Sequence, residues 1–208
     1  MDVFFLLAAY SLCLAVMHTA SHWIVSLYLK NQSILSFRSY LPKESYLRSF
    51  LLGGFFFLCL LPCAGLSDLP AFIFRLLPIF FLLLIACTDL EYEIIFDRML
   101  LPFALLALPA IFALHLPLLT HLAAAAAGGA AALAFAVLTR GAMGGGDIKL
   151  LAVLGLWLGA KLITAAAFGI VLGGIAALLL LVTKKRTRKE FFPYGPWFAL
   201  SGICCILW

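Results

Sequence analysis

The chain has 208 residues, of which 66% are hydrophobic and 11% charged. A soluble domain is about half apolar and about a quarter charged, so this chain has too few polar side chains to cover itself in water. The composition excludes a soluble enzyme, a disordered protein and a nucleic-acid-binding module. The net charge of +5 is better explained by orientation in a membrane than by binding to nucleic acid, because the basic residues lie in short loops between apolar runs. We therefore expect an all-α, polytopic membrane helix bundle with no large soluble domain.

Apolar runs predict eight membrane spans, because a span needs about 20 apolar residues and polar, Pro or Gly breaks separate the runs. The first run lacks the basic start and short apolar core of a cleavable signal, so it is interpreted as a span. The expected spans are 3–29, 49–66, 71–88, 98–115, 118–139, 148–160, 163–182 and 193–208. Together they predict a single integral membrane domain over residues 1–208.

The distribution of Lys and Arg predicts how the spans are oriented. All but two of the 14 basic residues lie in the segments that follow spans 1, 3, 5 and 7. The positive-inside rule places these segments in the cytoplasm and both termini outside. The two exceptions, Arg75 and Lys161, fall toward the opposite face together with Asp68, His115 and His121. An odd number of spans would break this alternation, so the charges support eight.

A first acidic cluster follows the third apolar run. Asp89 closes that run and is expected to lie deepest, whereas Glu91 and Glu93 fit a solvated cap on a helix end. On a continuous helix Asp89, Glu93 and Asp97 would share one face, which is a repulsive arrangement. Acidic residues at the edge of a span are candidates for function because burying their charge is costly.

A second cluster combines glycines with an aspartate, in the run Gly141-Ala142-Met143-Gly144-Gly145-Gly146-Asp147. The glycines allow the backbone to approach a neighbour or ligand closely. One interpretation is a flexible loop in which Asp147 caps the next helix. A phosphate-binding loop is another, but the Gly-Lys-Ser/Thr order of such loops is absent.

Asp89 and Asp147 end or begin different spans on the same predicted face, so they could meet inside the bundle. Two neighbouring carboxylates in a low-dielectric site share one proton. Such a pair can hold a water molecule, deprotonate it for attack on a peptide carbonyl, and protonate the leaving nitrogen. This is the general acid–base chemistry of aspartic proteases.

Three motifs resemble those of the type IV prepilin peptidase family, membrane aspartic proteases of the G-x-G-D type. Gly141-x-Met143-Gly144-x-Gly146-Asp147-x-Lys149-Leu150 matches the G-x-M-G-x-G-D-x-K-L pattern at every fixed position. Asp89-Leu90-Glu91, followed by Ile94-Ile95-Phe96-Asp97, resembles the first motif, with Phe96 in place of Pro. Pro193-Tyr194-Gly195-Pro196 resembles Pro-Phe-Gly-Pro. The resemblance covers roughly residues 75–205.

The resemblance implies an aspartic endopeptidase that removes the basic leader of type IV prepilins or pseudopilins. It would act at the cytoplasmic face of the bacterial inner membrane, with Asp89 and Asp147 as the catalytic pair. Gly144 and Gly146 would shape the loop that positions Asp147. A basic leader would be oriented by the acidic segment 89–97, whereas the basic run 184–189 would face anionic lipid headgroups.

Two further matching residues, Asp97 and Lys149, are expected to support the site, although no role is assigned to them. Many family members carry a cytoplasmic domain with two C-x-x-C pairs that bind zinc, and they methylate the new N-terminus. Here the loop of about 30–49 has no cysteine, so we expect no zinc and no other metal. S-adenosylmethionine is expected as a cofactor only if methyl transfer is present.

The cysteines and the rival functions complete the sequence predictions. None of the cysteines forms a C-x-x-C pair, and most are expected to pack as small apolar side chains; they are Cys13, Cys59, Cys63, Cys87, Cys204 and Cys205.

An ion or solute transporter would place its acids near the membrane midplane rather than at one face. A structural membrane subunit would not explain the Gly-rich loop. Another G-x-G-D protease of the presenilin sort would have Tyr-Asp in place of Thr88-Asp89.

Overall fold

The computed structural model describes residues 3–31, 46–63, 68–139, 143–183 and 192–208. These residues form eight α-helices and one 3₁₀ turn, without a β-strand among them. The helices are α1 (Val3–Asn31), α2 (Tyr46–Cys63), α3 (Leu69–Tyr92), α4 (Asp97–Ala113), α5 (Leu118–Leu138), α6 (Gly145–Leu158), α7 (Leu162–Val182) and α8 (Gly195–Leu207). The predicted all-α bundle is confirmed.

Five continuous helical stretches in the described residues are long and apolar enough to cross a membrane. Four lie in α1, α2, α3 and α5, and the fifth is the 38-residue stretch that joins α6 to α7. That stretch breaks at Gly159, whose φ of 53° and ψ of −129° are incompatible with a helix. Leucines 119 and 138 are 81% and 82% exposed on the outer face of α5, as expected of side chains that contact lipid. The protein is therefore a multi-pass membrane protein.

Helices α1 and α2 form a compact unit of their own. A Cβ atom at Gly53 would lie 2.6 Å from Leu14 Cδ2, so this glycine lets the two helices pack closely. Arg48 was expected in a loop, but it lies in α2, is only 6% exposed, and donates from Nε to Ser21 Oγ at 2.8 Å. The helix begins before it because Tyr46 and Leu47 already belong to the apolar run.

Helices α3 to α8 form the second compact unit. Small residues bring α5 and α6 together, since a Cβ atom at Gly155 would lie 2.5 Å from Ala125 Cα. In this second unit the ring of Phe103 stacks against the rings of Phe81 and Trp157, and each pair of ring centroids is 5.5 Å apart. The Trp157 Nε1–H group donates to the Phe103 carbonyl oxygen at 2.9 Å, so the indole also joins α6 to α4.

The helix ends differ from the predicted spans in ways that bear on the acidic residues. Span 3 was expected to end at residue 88, but α3 continues to Tyr92 and ends at Glu93, which has a left-handed φ of 55°. Span 6 was expected to begin at residue 148, but α6 begins at Gly145. Asp89 and Asp147 therefore lie within helices rather than beside them. Gly141 and the basic run 184–189 lie outside the described residues.

Candidate active site

Asp89 lies in the last turn of α3 and is buried, with only 3% of its surface exposed. Its Oδ2 atom accepts a hydrogen bond of 3.0 Å from the backbone N–H group of Gly195, which is 106 residues away in sequence. The preceding Thr88 is fully buried and donates from Oγ1 to the Ile85 carbonyl oxygen at 3.0 Å. The carboxylate is therefore held by the start of α8.

Asp147 lies in the first turn of α6 and is also 3% exposed. The backbone N–H groups of Gly144 and Gly195 face its carboxylate. Its Oδ1 atom is buried and has no hydrogen-bond partner among the residues that the structure describes. A buried acceptor without a partner is costly, and such an atom can accept a hydrogen bond from a shared proton or a reacting molecule.

The two aspartates meet around the start of α8. The same Gly195 amide that donates to Asp89 faces Asp147, and the two carboxylates interact electrostatically. Gly195 is the first residue of α8, where the backbone N–H groups have no partner within the helix. The positive end of the helix dipole also favours negative charge there. The pair can therefore be held as one site that shares a proton.

Gly195 is the residue that the sequence analysis quoted without giving it a role. A Cβ atom on it would lie 2.6 Å from Asp89 Oδ2 and 3.0 Å from Asp89 Cγ, so only glycine leaves room for the carboxylate. The signal was present in the sequence, because Gly195 is followed by Pro196 and proline favours the first turn of a helix. What the pattern could not indicate is which side chain the free amide meets.

The Gly-rich segment positions Asp147 through packing as well as through the backbone N–H group that faces its carboxylate. Gly144 caps α6, so the interpretation of Asp147 as the helix cap is wrong. A Cβ atom at Gly146 would lie 2.9 Å from Ile95 Cβ, whereas one at Gly145 would meet no atom within 4 Å. Gly146 thus lets α6 pack against the segment that follows α3, and α3 carries the other aspartate, Asp89.

Asp97 and Lys149 form an ion pair with each other outside the buried pair. Lys149 Nζ donates to both carboxylate oxygens of Asp97, at 2.7 and 2.8 Å. The two side chains are 71% and 57% exposed, respectively. They join the start of α4 to the second turn of α6, so they connect two helices that lie next to the buried aspartates.

The end of α3 determines where the remaining residues of the first motif lie. Asp89, Glu93 and Asp97 would share one face only on a continuous helix, and that repulsive arrangement does not arise, because α3 ends at Tyr92 and a new helix begins at Asp97. Phe96, which stands where the family pattern has Pro, adopts a φ of −77°. That value is within the range that proline imposes, so this position has a backbone φ that proline could also adopt.

Groups of three or more His, Cys, Asp or Glu side chains that could hold a metal ion do not occur within the described residues. The six cysteines are free, and four of them are buried: Cys13, Cys59, Cys63 and Cys87. The chemical groups gathered at the start of α8 are therefore carboxylates and backbone amides. They suit proton transfer and hydrogen bonding to a polar reactant.

Comparison with known proteins identifies the family to which this site belongs. The model of the type IV leader peptidase family matches residues 76–182, about half of the chain. A prepilin leader peptidase/N-methyltransferase of Bacillus subtilis (strain 168) is 35% identical over 74 residues, which cover 35% of this chain and 30% of that protein. The proteins of the same name from Aeromonas salmonicida (strain A449) and Xanthomonas campestris pv. campestris are 35% and 36% identical over 77 and 67 residues.

The aligned segments cover 36% and 32% of this chain and 26% and 23% of those two relatives, respectively. The chain thus spans less than a third of the length of the curated relatives that it matches. No solved structure matches the chain. The matched region contains both buried aspartates, the Gly-rich segment and the ion pair, and the chain belongs to the type IV leader peptidase family.

Proposed function

We propose that this protein is a membrane aspartic endopeptidase that removes the leader peptide of type IV prepilins or pseudopilins. The observation that carries the proposal is that Asp89 and Asp147 are both buried and meet at one backbone amide, that of Gly195. A structural role alone would not require two acidic side chains in one apolar site, where burying charge is costly. Family membership favours peptide hydrolysis over the transport of an ion or solute.

In the proposed reaction one carboxylate accepts a proton from a water molecule held between the two side chains. The water oxygen attacks the peptide carbonyl carbon, and the other, protonated carboxyl group donates a hydrogen bond to the carbonyl oxygen. A proton then passes to the peptide nitrogen as the C–N bond breaks, which leaves a new carboxyl group and a new amine. The Gly195 amide would hold Asp89 in place throughout, because its hydrogen bond does not involve the substrate.

The proposed substrate class rests on the family and on local charge. The curated relatives are named prepilin leader peptidases. In this chain Glu91 is exposed two residues after Asp89, so it adds negative charge where a basic leader would approach the buried pair. We place this end of the bundle in the cytoplasm, because Arg98 and Lys149 lie there and the positive-inside rule assigns such residues to that side.

The test is cleavage of a co-expressed prepilin from the same genome, followed by mass spectrometry of the product. Asp89→Asn and Asp147→Asn should each lower the cleavage rate by about 100-fold or more, because a general acid–base group contributes about 10²- to 10⁴-fold. The matched control is Asp68→Asn. Asp68 is an exposed aspartate at the other end of α3 whose side chain makes no capping hydrogen bond, so its loss should change little.

Both Asn variants should be expressed and inserted at the level of the parent protein. Near-normal cleavage by either one would contradict the proposed pair, and equal loss in the Asp68 control would point to misfolding instead. The same spectra report methylation of the new N-terminus. We propose a peptidase that acts without zinc and without S-adenosylmethionine, so the product should lack the added mass of one methyl group.

A further inference from the structure

A cavity of about 380 Å³ lies in the α3–α8 unit at the end opposite to the two aspartates. Arg75 lines it and precedes Asp89 on α3 by about four turns, roughly 21 Å at about 1.5 Å per residue. Lys161 also lines it and follows Asp147 by a similar length along α6 and the 3₁₀ turn. The cavity and the aspartates are thus separated by most of the roughly 30 Å thickness of a bilayer core.

The cavity gathers cationic side chains without a carboxylate among the residues that line it. Arg75 and Lys161 are the two basic residues that the charge pattern of the sequence separated from the other 12. Lys161 Nζ donates to the Cys205 carbonyl oxygen at 3.3 Å. Within the part of the chain that the structure describes, Arg75 forms no hydrogen bond or ion pair with another residue. Arg75 is partly buried, and an anionic partner would offset the desolvation of its guanidinium group.

A buried histidine forms one wall of the cavity. His121 is 6% exposed, and its Nδ1 atom lies 2.7 Å from the Leu156 carbonyl oxygen. A Cβ atom at Gly159 would lie 2.9 Å from His121 Nε2, so the positive φ of Gly159 and its missing side chain let the imidazole fill the break between α6 and α7. The histidine is therefore held by the fold, and Arg75 and Lys161 are the cationic side chains in the lining that can pair with an anion.

The other walls of the cavity are mostly apolar, with Thr120 as a polar exception. Pro78 of α3, Ala107 and Ile111 of α4, and Trp157 of α6 contribute apolar surface. A small soluble anion would contact the two cations but would leave this apolar surface uncovered. An amphiphile would match both parts, because its charged group can pair with the cations while its hydrocarbon replaces water on the apolar side chains.

We propose that this cavity binds the phosphate headgroup of an anionic phospholipid from the leaflet on the non-catalytic side. Arg75 suits a phosphate because its guanidinium group can donate two parallel hydrogen bonds to phosphate oxygens, and Lys161 adds a second positive charge. The volume is within the range of ligand pockets, about 300–1,000 Å³, but it is smaller than a whole phospholipid. The headgroup and the start of one acyl chain occupy it, and the rest of the lipid lies along the bundle.

The test uses the full-length chain, stripped of lipid in a neutral detergent and titrated with phospholipids whose acyl chains carry bromine. Bromine quenches tryptophan fluorescence at short range, and Trp157 lines the cavity. To isolate this signal, the other tryptophans are replaced by Phe at positions 23, 197 and 208. We expect half-maximal quenching by phosphatidylglycerol at a concentration about 10-fold lower than by phosphatidylcholine, as two cationic contacts with an anionic lipid predict.

The double variant Arg75→Gln/Lys161→Gln should lose this preference. The matched control Arg98→Gln removes an exposed cation at the aspartate end and should keep it. Equal quenching by the two lipids in the parent protein would overturn the proposal, as would an equal loss of preference in the control. Displacement of phosphatidylglycerol by millimolar inorganic phosphate alone would identify a soluble-anion site and also overturn it. If the Phe background does not fold, native mass spectrometry of the unmodified chain with the same two lipids gives the decisive comparison.

Discussion

Replacing Gly195 by Ala should impair catalysis without preventing folding. The added Cβ would lie 2.6 Å from Asp89 Oδ2, whereas an ordinary contact begins near 3.4 Å, so one of the groups must move by about 0.8 Å. The carboxylate is at the end of a side chain and moves more easily than the first turn of α8. Moving it lengthens the 3.0 Å hydrogen bond from the Gly195 amide. A displacement of about 1 Å in an active site can cost about 100-fold in rate, so we expect kcat to fall by about 10- to 100-fold.

The assay measures cleavage of purified prepilin by the enzyme in proteoliposomes, together with the unfolding transition of each variant. Gly174→Ala in α7 is the matched control, because a Cβ there would meet no atom within 4 Å. Its kcat should equal that of the parent protein. Unchanged kcat in Gly195→Ala, with unfolding like that of the parent, would refute the view that this glycine positions Asp89. A lower kcat accompanied by gross loss of stability would refute the claim that the effect is local.

The Gly-rich segment and the ion pair allow two further tests in the same assay. Gly146→Ala should lower kcat by about 10-fold or more, because its Cβ would press against Ile95 and shift the start of α6. Gly145→Ala should leave kcat unchanged, because a Cβ at Gly145 would meet open space. Equal effects of the two substitutions would contradict this distinction. Lys149→Met should lower the free energy of unfolding by no more than about 1 kcal/mol, since exposed ion pairs contribute little. High salt should abolish this difference in stability from the parent protein. A larger loss of stability that does not depend on salt would show that the ion pair does more than join α4 to α6.

The described residues form a helix at each of the eight predicted apolar runs, whereas the helix ends at the acidic residues were not predictable and the number of membrane spans stays a prediction. Apolar runs mark the parts of helices that face lipid or the core, and an aspartate ends such a run. Helix α3 nevertheless continues past Asp89, because α8 buries this side chain and Glu93 ends the helix with a backbone N–H bond to the Asp89 carbonyl oxygen at 2.9 Å. Helix α6 likewise begins before Asp147, because Gly144 provides the cap. The first correction combines a tertiary contact with a local helix cap and the second rests on a local cap, and hydropathy contains neither.

The candidate site was predictable to the level of its motifs. The resemblance selected Asp89 and Asp147, and the structure places both beside one backbone amide, although their catalytic role stays a prediction. That amide belongs to Gly195, which lies 106 residues from Asp89 in sequence. The contact depends on how α8 packs against α3, which no local pattern encodes. The pairing of Asp97 with Lys149 was hidden for the same reason, since each residue was recognised alone and neither motif indicated the other.

The positions of the two aspartates also explain how an apolar bundle accommodates them. A buried carboxylate needs hydrogen-bond donors, and inside a membrane bundle most backbone N–H groups are already used by helices. The unused ones are at helix N-termini. Asp147 lies in the first turn of α6, and Asp89 contacts the first amide of α8, so the helix starts supply donors without any added polar side chain. A pair placed in mid-helix would lack these donors, which explains why the two aspartates lie where helices begin and end.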